Sequence, residues 1–272
     1  MKLQVLINNC VHRPGLKAEH GLSLWVEHGG KSFLFDTGSS GLVVDNAHTL
    51  DVPLPQAEAI ILSHGHYDHT GGLRRVLEDI GRPIRVLAHP DIWRKRAYKD
   101  ERGIRDIGIP FSERQLERAQ FSYNSNPREI DTNIWISGAI PRETEFEQIE
   151  PELICLKGDT WVQDDIWDDQ AMVINVPQGV VIITGCAHSG IINVIRYGLQ
   201  IAQNRRLYAV IGGFHLWHAS QKRLEQTIEA LRNLEPAYII TGHCTGLEAA
   251  CVLKSFFKEK CIFLDVGLEI NL

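Results

Sequence analysis

No window of this 272-residue chain approaches the roughly 18 consecutive apolar residues that a membrane helix needs, so no spanning segment is expected. The opening MKLQVLINNC lacks the apolar run and small-residue cleavage site of a secretory signal. Low-complexity tracts are missing too, which argues against a disordered chain. There is no basic excess: 28 Lys and Arg stand against 34 Asp and Glu, a net charge of −6, the reverse of a general nucleic-acid binder. The six cysteines at 10, 155, 186, 244, 251 and 261 lack the close pairing of a zinc ribbon or a small disulfide scaffold. These absences leave a soluble cytoplasmic protein with free thiols and a small-molecule partner. No nucleic-acid or membrane partner is expected, and a homodimer is left open.

What is present reads as alternating strands and helices. KLQVLIN (2–8), LSLWVEH (22–28) and KSFLFD (31–36) are strand-like, with HisGlyGly at 28–30 as the hairpin turn between the last two. AEAIILSH (57–64) is a short apolar run. TGGLRRVLEDI (70–80) carries apolar residues at 73, 76, 77 and 80, which is helical spacing, and PIRVLAH (83–89) returns as a strand. Residues 91–130 are polar and weakly periodic and read as an insertion or lid. Beyond them come the strands NIWISG, ELICLKG, AMVINV and GVVIITG, then helix and strand in alternation to the C-terminus. Each half thus has strands first and helix-plus-strand units later. That layout suits an α/β fold of two sheets packed face to face with helices outside, and a single domain over 1–272 interrupted at about 91–130.

The densest chemistry lies in Ser63-His64-Gly65-His66-Tyr67-Asp68-His69-Thr70-Gly71-Gly72. Imidazole and carboxylate are the usual ligands of zinc, iron and manganese. His64 and His66 are two apart on extended chain, so their side chains can point the same way beyond the strand end. Asp68 and His69 sit at the start of a helix, offset from the first pair, where they can address a second ion. The glycines leave room for a tight backbone path around a ligand cage.

HGHYDHTGG (64–72) resembles the signature of the metallo-β-lactamase superfamily, and AspThrGly at 36–38 and the later histidine motifs extend the resemblance over the whole chain. GluHisGlyLeuSer (19–23), GlyCysAlaHisSerGly (185–190), GlyGlyPheHisLeu (212–216) and GlyHisCysThrGly (242–246) are similar to one branch of it, the dihydropterin ribofuranosylaminobenzene phosphate synthase-like proteins. That branch is linked to methanopterin biosynthesis and described broadly as metal-dependent hydrolases. The resemblance implies a four-layer αββα sandwich of two mixed β-sheets. It implies two divalent ions, zinc first and iron or manganese as alternatives. One ion would take His64, His66 and a third ligand; the other would take Asp68, His69 and His243. Asp36 would orient a ligand from behind. Cys186 stands where the superfamily usually has a bridging aspartate, and no histidine lies in the loop ahead of it. His188 is inferred to replace that histidine. Cys186 as a bridging thiolate competes with Cys186 as small apolar packing, and Asp168 or Asp169 could supply a carboxylate, although acidic pairs are more often solvated.

The implied chemistry is hydrolysis, since paired metals can lower the pKa of a bound water to about 7 and yield hydroxide at neutral pH. Asp68 would hold that hydroxide as well as bind metal, and His215 would protonate the leaving group. Arg94, Arg96, Arg102 and Arg105 form a basic run that could hold a phosphate or carboxylate; a solvated helix face balanced by Asp100 and Glu101 explains the run equally well. His20 is a further substrate-binding candidate. Trp93, Tyr98, Phe111 and Trp135 could stack on a flat ring such as a pterin, or belong to the core. The expected enzyme is a dinuclear hydrolase for a small phosphorylated or aromatic substrate. A pterin-pathway synthase or lyase and a di-iron or zinc redox protein on the same scaffold are the alternatives.

Overall fold

Short apolar runs, buried at nearly every position, build the two large sheets. The computed structural model describes all 272 residues, and the chain divides into two compact units. The first comprises Met1–Tyr123, Ile149–Asp168 and Asp265–Leu272; the second comprises Asn124–Gln148 and Asp169–Leu264.

In the first unit, strands β1 (Lys2–Ile7), β2 (Ser23–His28), β3 (Lys31–Phe35), β4 (Ala59–Ile61), β5 (Ile84–Ala88) and β8 (Ala119–Tyr123) join the C-terminal β18 (Glu269–Asn271). Their order is β18-β1-β2-β3-β4-β5-β8. The first three pairings are antiparallel and the last three parallel. Helices α1 (Leu42–Thr49) and α3 (Leu73–Ile80) lie against one face. Leu34, Ile60 and Val86 of the sheet pack there with Val43, Val44 and Ala47 of α1 and Leu73, Val76, Leu77 and Ile80 of α3. Their neighbours Phe33, Phe35, Ala59, Ile61 and Leu87 are buried on the other face, so strands of this unit are apolar on both sides. The helix expected from 73, 76, 77 and 80 forms, and all four residues are buried. Helix α1 is not signalled by the sequence pattern. It has eight residues and no side-chain N-cap, so neither periodicity nor a cap marks it.

A smaller four-stranded antiparallel sheet also belongs to the first unit. Strands β6 (Arg96–Asp100), β7 (Gly103–Asp106), β11 (Leu153–Lys157) and β12 (Thr160–Gln163) run in the order β12-β11-β6-β7 over Ile107, Leu153 and Ile166. The basic run at 94–105 therefore lies on a hairpin, and the solvated helix face weighed for it does not exist. The stretch 91–130 supplies this hairpin, edge strand β8 and the first strand of the second unit.

The second unit repeats the plan. Strands β9 (Arg128–Asp131), β10 (Ile134–Ile136), β13 (Ala171–Val176), β14 (Gly179–Thr184), β15 (Leu207–Gly212), β16 (Tyr238–Thr241) and β17 (Cys261–Phe263) form a sheet in the order β17-β16-β15-β14-β13-β10-β9. It too has three parallel and three antiparallel pairings. Helices α4 (Ile191–Ile201), α5 (Gln221–Leu234) and α6 (Leu247–Phe257) bury Ile191, Ile195, Ile228, Leu231 and Leu253 with Val173, Ile182, Val210 and Ile239 of the sheet. Ser220 caps α5 by accepting a hydrogen bond from Arg223 N at 3.2 Å. The chain is thus α/β with two mixed sheets, as its pattern implied. No helix is long and apolar enough to cross a membrane.

Candidate metal centre

In the first unit, β4 stops at Ile61, and Leu62 and Ser63 lead into the histidine loop before the single turn α2 (Tyr67–Thr70). His64 and His66 meet edge to face, with His64 Nε2 3.0 Å from His66 Nδ1. His69 returns from α2 to lie 4.3 Å from His64, ring centre to ring centre. Asp68 Oδ2 is 3.6 Å from His69 Nε2 and 3.2 Å from His20 Nε2. The four cluster residues are 0–7% exposed, whereas the His20 side chain is half exposed. Burial, with the neighbouring His69 and His66, pushes His64 well below the usual imidazole range; burial and the Arg96 charge push His66 down to about 3. Both rings are therefore neutral near pH 7 and keep a nitrogen lone pair for a cation.

Behind this loop stands Asp36, wholly buried and in the left-handed conformation with φ 59°. Its Oδ2 is 2.7 Å from His69 Nδ1 and accepts from Ser63 Oγ at 2.7 Å, while Oδ1 accepts from Ser63 N at 2.7 Å. The carboxylate therefore sets the His69 ring plane and ties it to the residue preceding His64.

The second unit contributes the ends of its parallel strands. Past β14 come Cys186 and His188, past β15 comes His215, and past β16 come His243 and Cys244. The donor atoms of Cys186, His188 and His215 lie within 4.8 Å of one another, and so do those of Cys186, His243 and Cys244. The His188 and His215 rings are 4.2 Å apart. Ala187, His215 and His243 all adopt positive φ, at 55°, 48° and 50°. Such non-glycine conformations cost on the order of 1–3 kcal/mol each and collect at functional sites. Asp169 is fully buried; its Oδ2 accepts from Ser189 N at 2.7 Å and its Oδ1 has no hydrogen-bond partner. Burial raises its pKa.

Several sequence expectations change here. Arg96 does not face a substrate: it is 0% exposed, with Nε on Asp164 Oδ2 at 2.7 Å and Nη2 on Asp168 Oδ1 at 2.6 Å. Asp168 and Asp169 are not a solvated acidic pair, because both are 0% exposed. Arg94 pairs with Asp91 at 2.8 Å, Arg105 lies over the Tyr98 ring, and Arg102 is exposed on the hairpin. Trp93 and Phe111 pack against the first core and Trp135 against the second, which leaves little of them for stacking on a ligand. Trp93 also donates to Tyr123 Oη at 2.7 Å. His89 caps the turn that follows it: its Nδ1 accepts from Asp91 N. Two participants escaped the sequence reading, Cys244 and the Arg96–Asp168 pair. A thiol beside His243 was a signal for the first; nothing local marked the second.

The donor chemistry fits divalent metal ions. The first unit offers His64, His66, Asp68 and His69 from one buried loop; the second offers His188, His243 and Cys186, with an unpartnered carboxylate oxygen at Asp169. A buried carboxylate oxygen without a hydrogen-bond partner is costly unless a cation or proton satisfies it.

The Lactamase_B model of the metallo-beta-lactamase superfamily matches residues 16–151. Two proteins of Methanocaldococcus jannaschii are similar over nearly the whole chain. The uncharacterized protein MJ0448 is 34% identical, covering 99% of this chain and 100% of its own. A 7,8-dihydropterin-6-methyl-4-(β-D-ribofuranosyl)-aminobenzene-5′-phosphate synthase is 33% identical, covering 93% and 90%. Among solved structures, Tm1679, a metal-dependent hydrolase of the beta-lactamase superfamily, superposes with a TM-score of 0.86 at 28% identity, covering 100% of this chain and 99% of that one.

Proposed function

The chain belongs to the metallo-β-lactamase superfamily, and on that premise we propose that it is a metal-dependent hydrolase for a small phosphorylated or aromatic substrate. The observation that carries this reading is the buried loop of His64, His66, Asp68 and His69, neutral at His64 and His66 and braced by Asp36 through His69. We assign metal ligation to those four residues and to His188 and His243. Divalent ions held there would supply Lewis acidity for a developing negative charge and acidify water to a pKa of about 7.

The protein's own groups divide the remaining work. Asp68, with Oδ2 3.2 Å from His20 Nε2, takes up a proton at its carboxylate, and His20 holds that carboxylate in place. His215, on a strained turn, delivers a proton to the leaving group.

The substrate reading draws on the similarity to the synthase. Identity of 33% across 93% of the chain favours a second reading, in which this protein joins a dihydropterin activated by a leaving group on its 6-methyl carbon to a ribofuranosylaminobenzene 5′-phosphate, with that group expelled. One experiment separates the two. Protein purified without chelators is assayed for metal content, for release of phosphate or alcohol from simple phosphoesters, and for condensation of the two pterin-pathway substrates. Turnover of esters, lost in His66→Ala together with metal, supports hydrolysis. Condensation without ester turnover moves the assignment to a synthase. Full metal content in His66→Ala sinks the loop assignment. Iron as the sole bound metal, with neither turnover, would favour the redox alternative.

A further inference from the structure

The buried cysteines of the second unit fall into two kinds. Cys261 belongs to the apolar cluster of that unit, and burial pushes its thiol up to about 11. It is a packing residue, as buried cysteines usually are. Cys186 and Cys244 are 3% and 7% exposed and lie outside that cluster. Their surroundings are polar: His188, His215 and His243 flank them, and Cys244 Sγ donates to the carbonyl of Cys186 at 3.5 Å. Both sit on the loops that follow parallel strands, Cys186 after β14 and Cys244 after β16. Between those strands β15 delivers Gly213, where an added Cβ would collide with Cys244 Sγ. The missing side chain is what lets the sulfur turn inward.

We propose that Cys186, Cys244 and His243 form a two-sulfur, one-imidazole metal site that takes a borderline-soft divalent cation of the zinc or cadmium type. The inference rests on the reading of the chain as a metalloprotein and specifies which atoms hold the ion at His243. The three donor atoms already lie within 4.8 Å of one another. A tetrahedral ion with metal–sulfur bonds near 2.3 Å and metal–nitrogen bonds near 2.0 Å needs its donors about 3.5–3.8 Å apart, so a contraction of about 1.3 Å at most closes the site. Thiolate donors select soft and borderline ions over magnesium or calcium. Binding releases the two thiol protons to solvent, and no oxidation is involved.

The test is cadmium-113 NMR of the full-length protein, loaded with cadmium alone in the presence of a phosphine reductant. A resonance in the two-sulfur range is expected, moving to the one-sulfur range in Cys244→Ser. Cadmium bound without a two-sulfur resonance in the unsubstituted protein overturns this inference and leaves the metalloenzyme reading standing. Failure to take up cadmium at all sinks both. The spectrum of the unsubstituted protein decides even where Cys244→Ser does not fold.

Discussion

Arg96 Nη2 donates to Asp168 Oδ1 at 2.6 Å, and the other oxygen of that carboxylate accepts from Gly65 N at 2.8 Å. Gly65 is the residue between His64 and His66, so one buried ion pair grips the backbone on which two candidate ligands ride. Arg96 is held in turn by Asp164, whose carboxyl is pulled below its usual range: burial works the other way, and the guanidinium overcomes it. A buried pair of this kind is weak evidence for net stability, because desolvation consumes much of its attraction. It defines where the loop sits.

Removing the cation while leaving its acids behind exposes that role. Arg96→Met should destabilise the protein by about 3–5 kcal/mol, since Asp164 and Asp168 would remain buried without their counter-ion. Urea denaturation of the metal-free protein checks this. A loss below about 1 kcal/mol would mean that water or protons replace the guanidinium easily.

Gly65 has no room for a side chain. An added Cβ would strike the carbonyl of Ile92 and the Arg96 guanidinium. Gly65→Ala should therefore shift the loop and lower metal content, measured by mass spectrometry of the purified protein. Gly29→Ala, at a hairpin position where an added Cβ meets nothing but φ is 60°, serves as the control: it should cost some stability yet keep its metal.

Asp36→Asn tests the brace behind His69. The amide cannot accept from both Ser63 donors and His69 as the carboxylate does. Metal affinity should fall about 10–100-fold in a chelator competition, with little change in fold. Unchanged affinity would show that His69 needs no orienting partner.

The metal-free protein should weaken in mild acid. His66 titrates at about 3 when folded, through burial and then the Arg96 charge, against 6.5 in the unfolded chain. Between those values the unfolded chain binds a proton that the folded one refuses, so stability falls as pH drops from about 6.5 toward 3 at up to about 1.4 kcal/mol per pH unit. His64 acts in the same direction. Denaturation midpoints of the metal-free protein across this range provide the check; His66→Asn should flatten the slope.

Thiol labelling distinguishes surface from core. Cys10 and Cys251 are exposed and should react within seconds with an aromatic disulfide reagent at pH 8. Cys261, raised to about 11 by burial, stays protonated and should react only after denaturation. Prompt native-state labelling at Cys261 would place it at the surface instead.

Local spacing carried most of what could be read from the chain. The two-residue step from His64 to His66 and the turn to Asp68 and His69 place four donor side chains within six residues. The apolar spacing at 73, 76, 77 and 80 likewise sufficed for a helix. The basic run misled for the opposite reason. Six cations between 94 and 105 look alike in sequence, yet one of them is sealed in the interior while its neighbours stay at the surface.

The sequence by itself determined the candidate ligand loop, the strands and helices with clear apolar patterns and the family to which the chain belongs, because each depends on residues close together or on motifs read whole. Tertiary structure alone decided the fate of Arg96, the burial of Asp168 and Asp169 and the meeting of Cys186 with Cys244. Arg96 finds its acids 68 and 72 residues away, and the two cysteines are 58 apart. Whether a charge is solvated or paired, and whether a thiol packs or faces imidazoles, is set by which distant strand ends converge. No local propensity encodes that convergence.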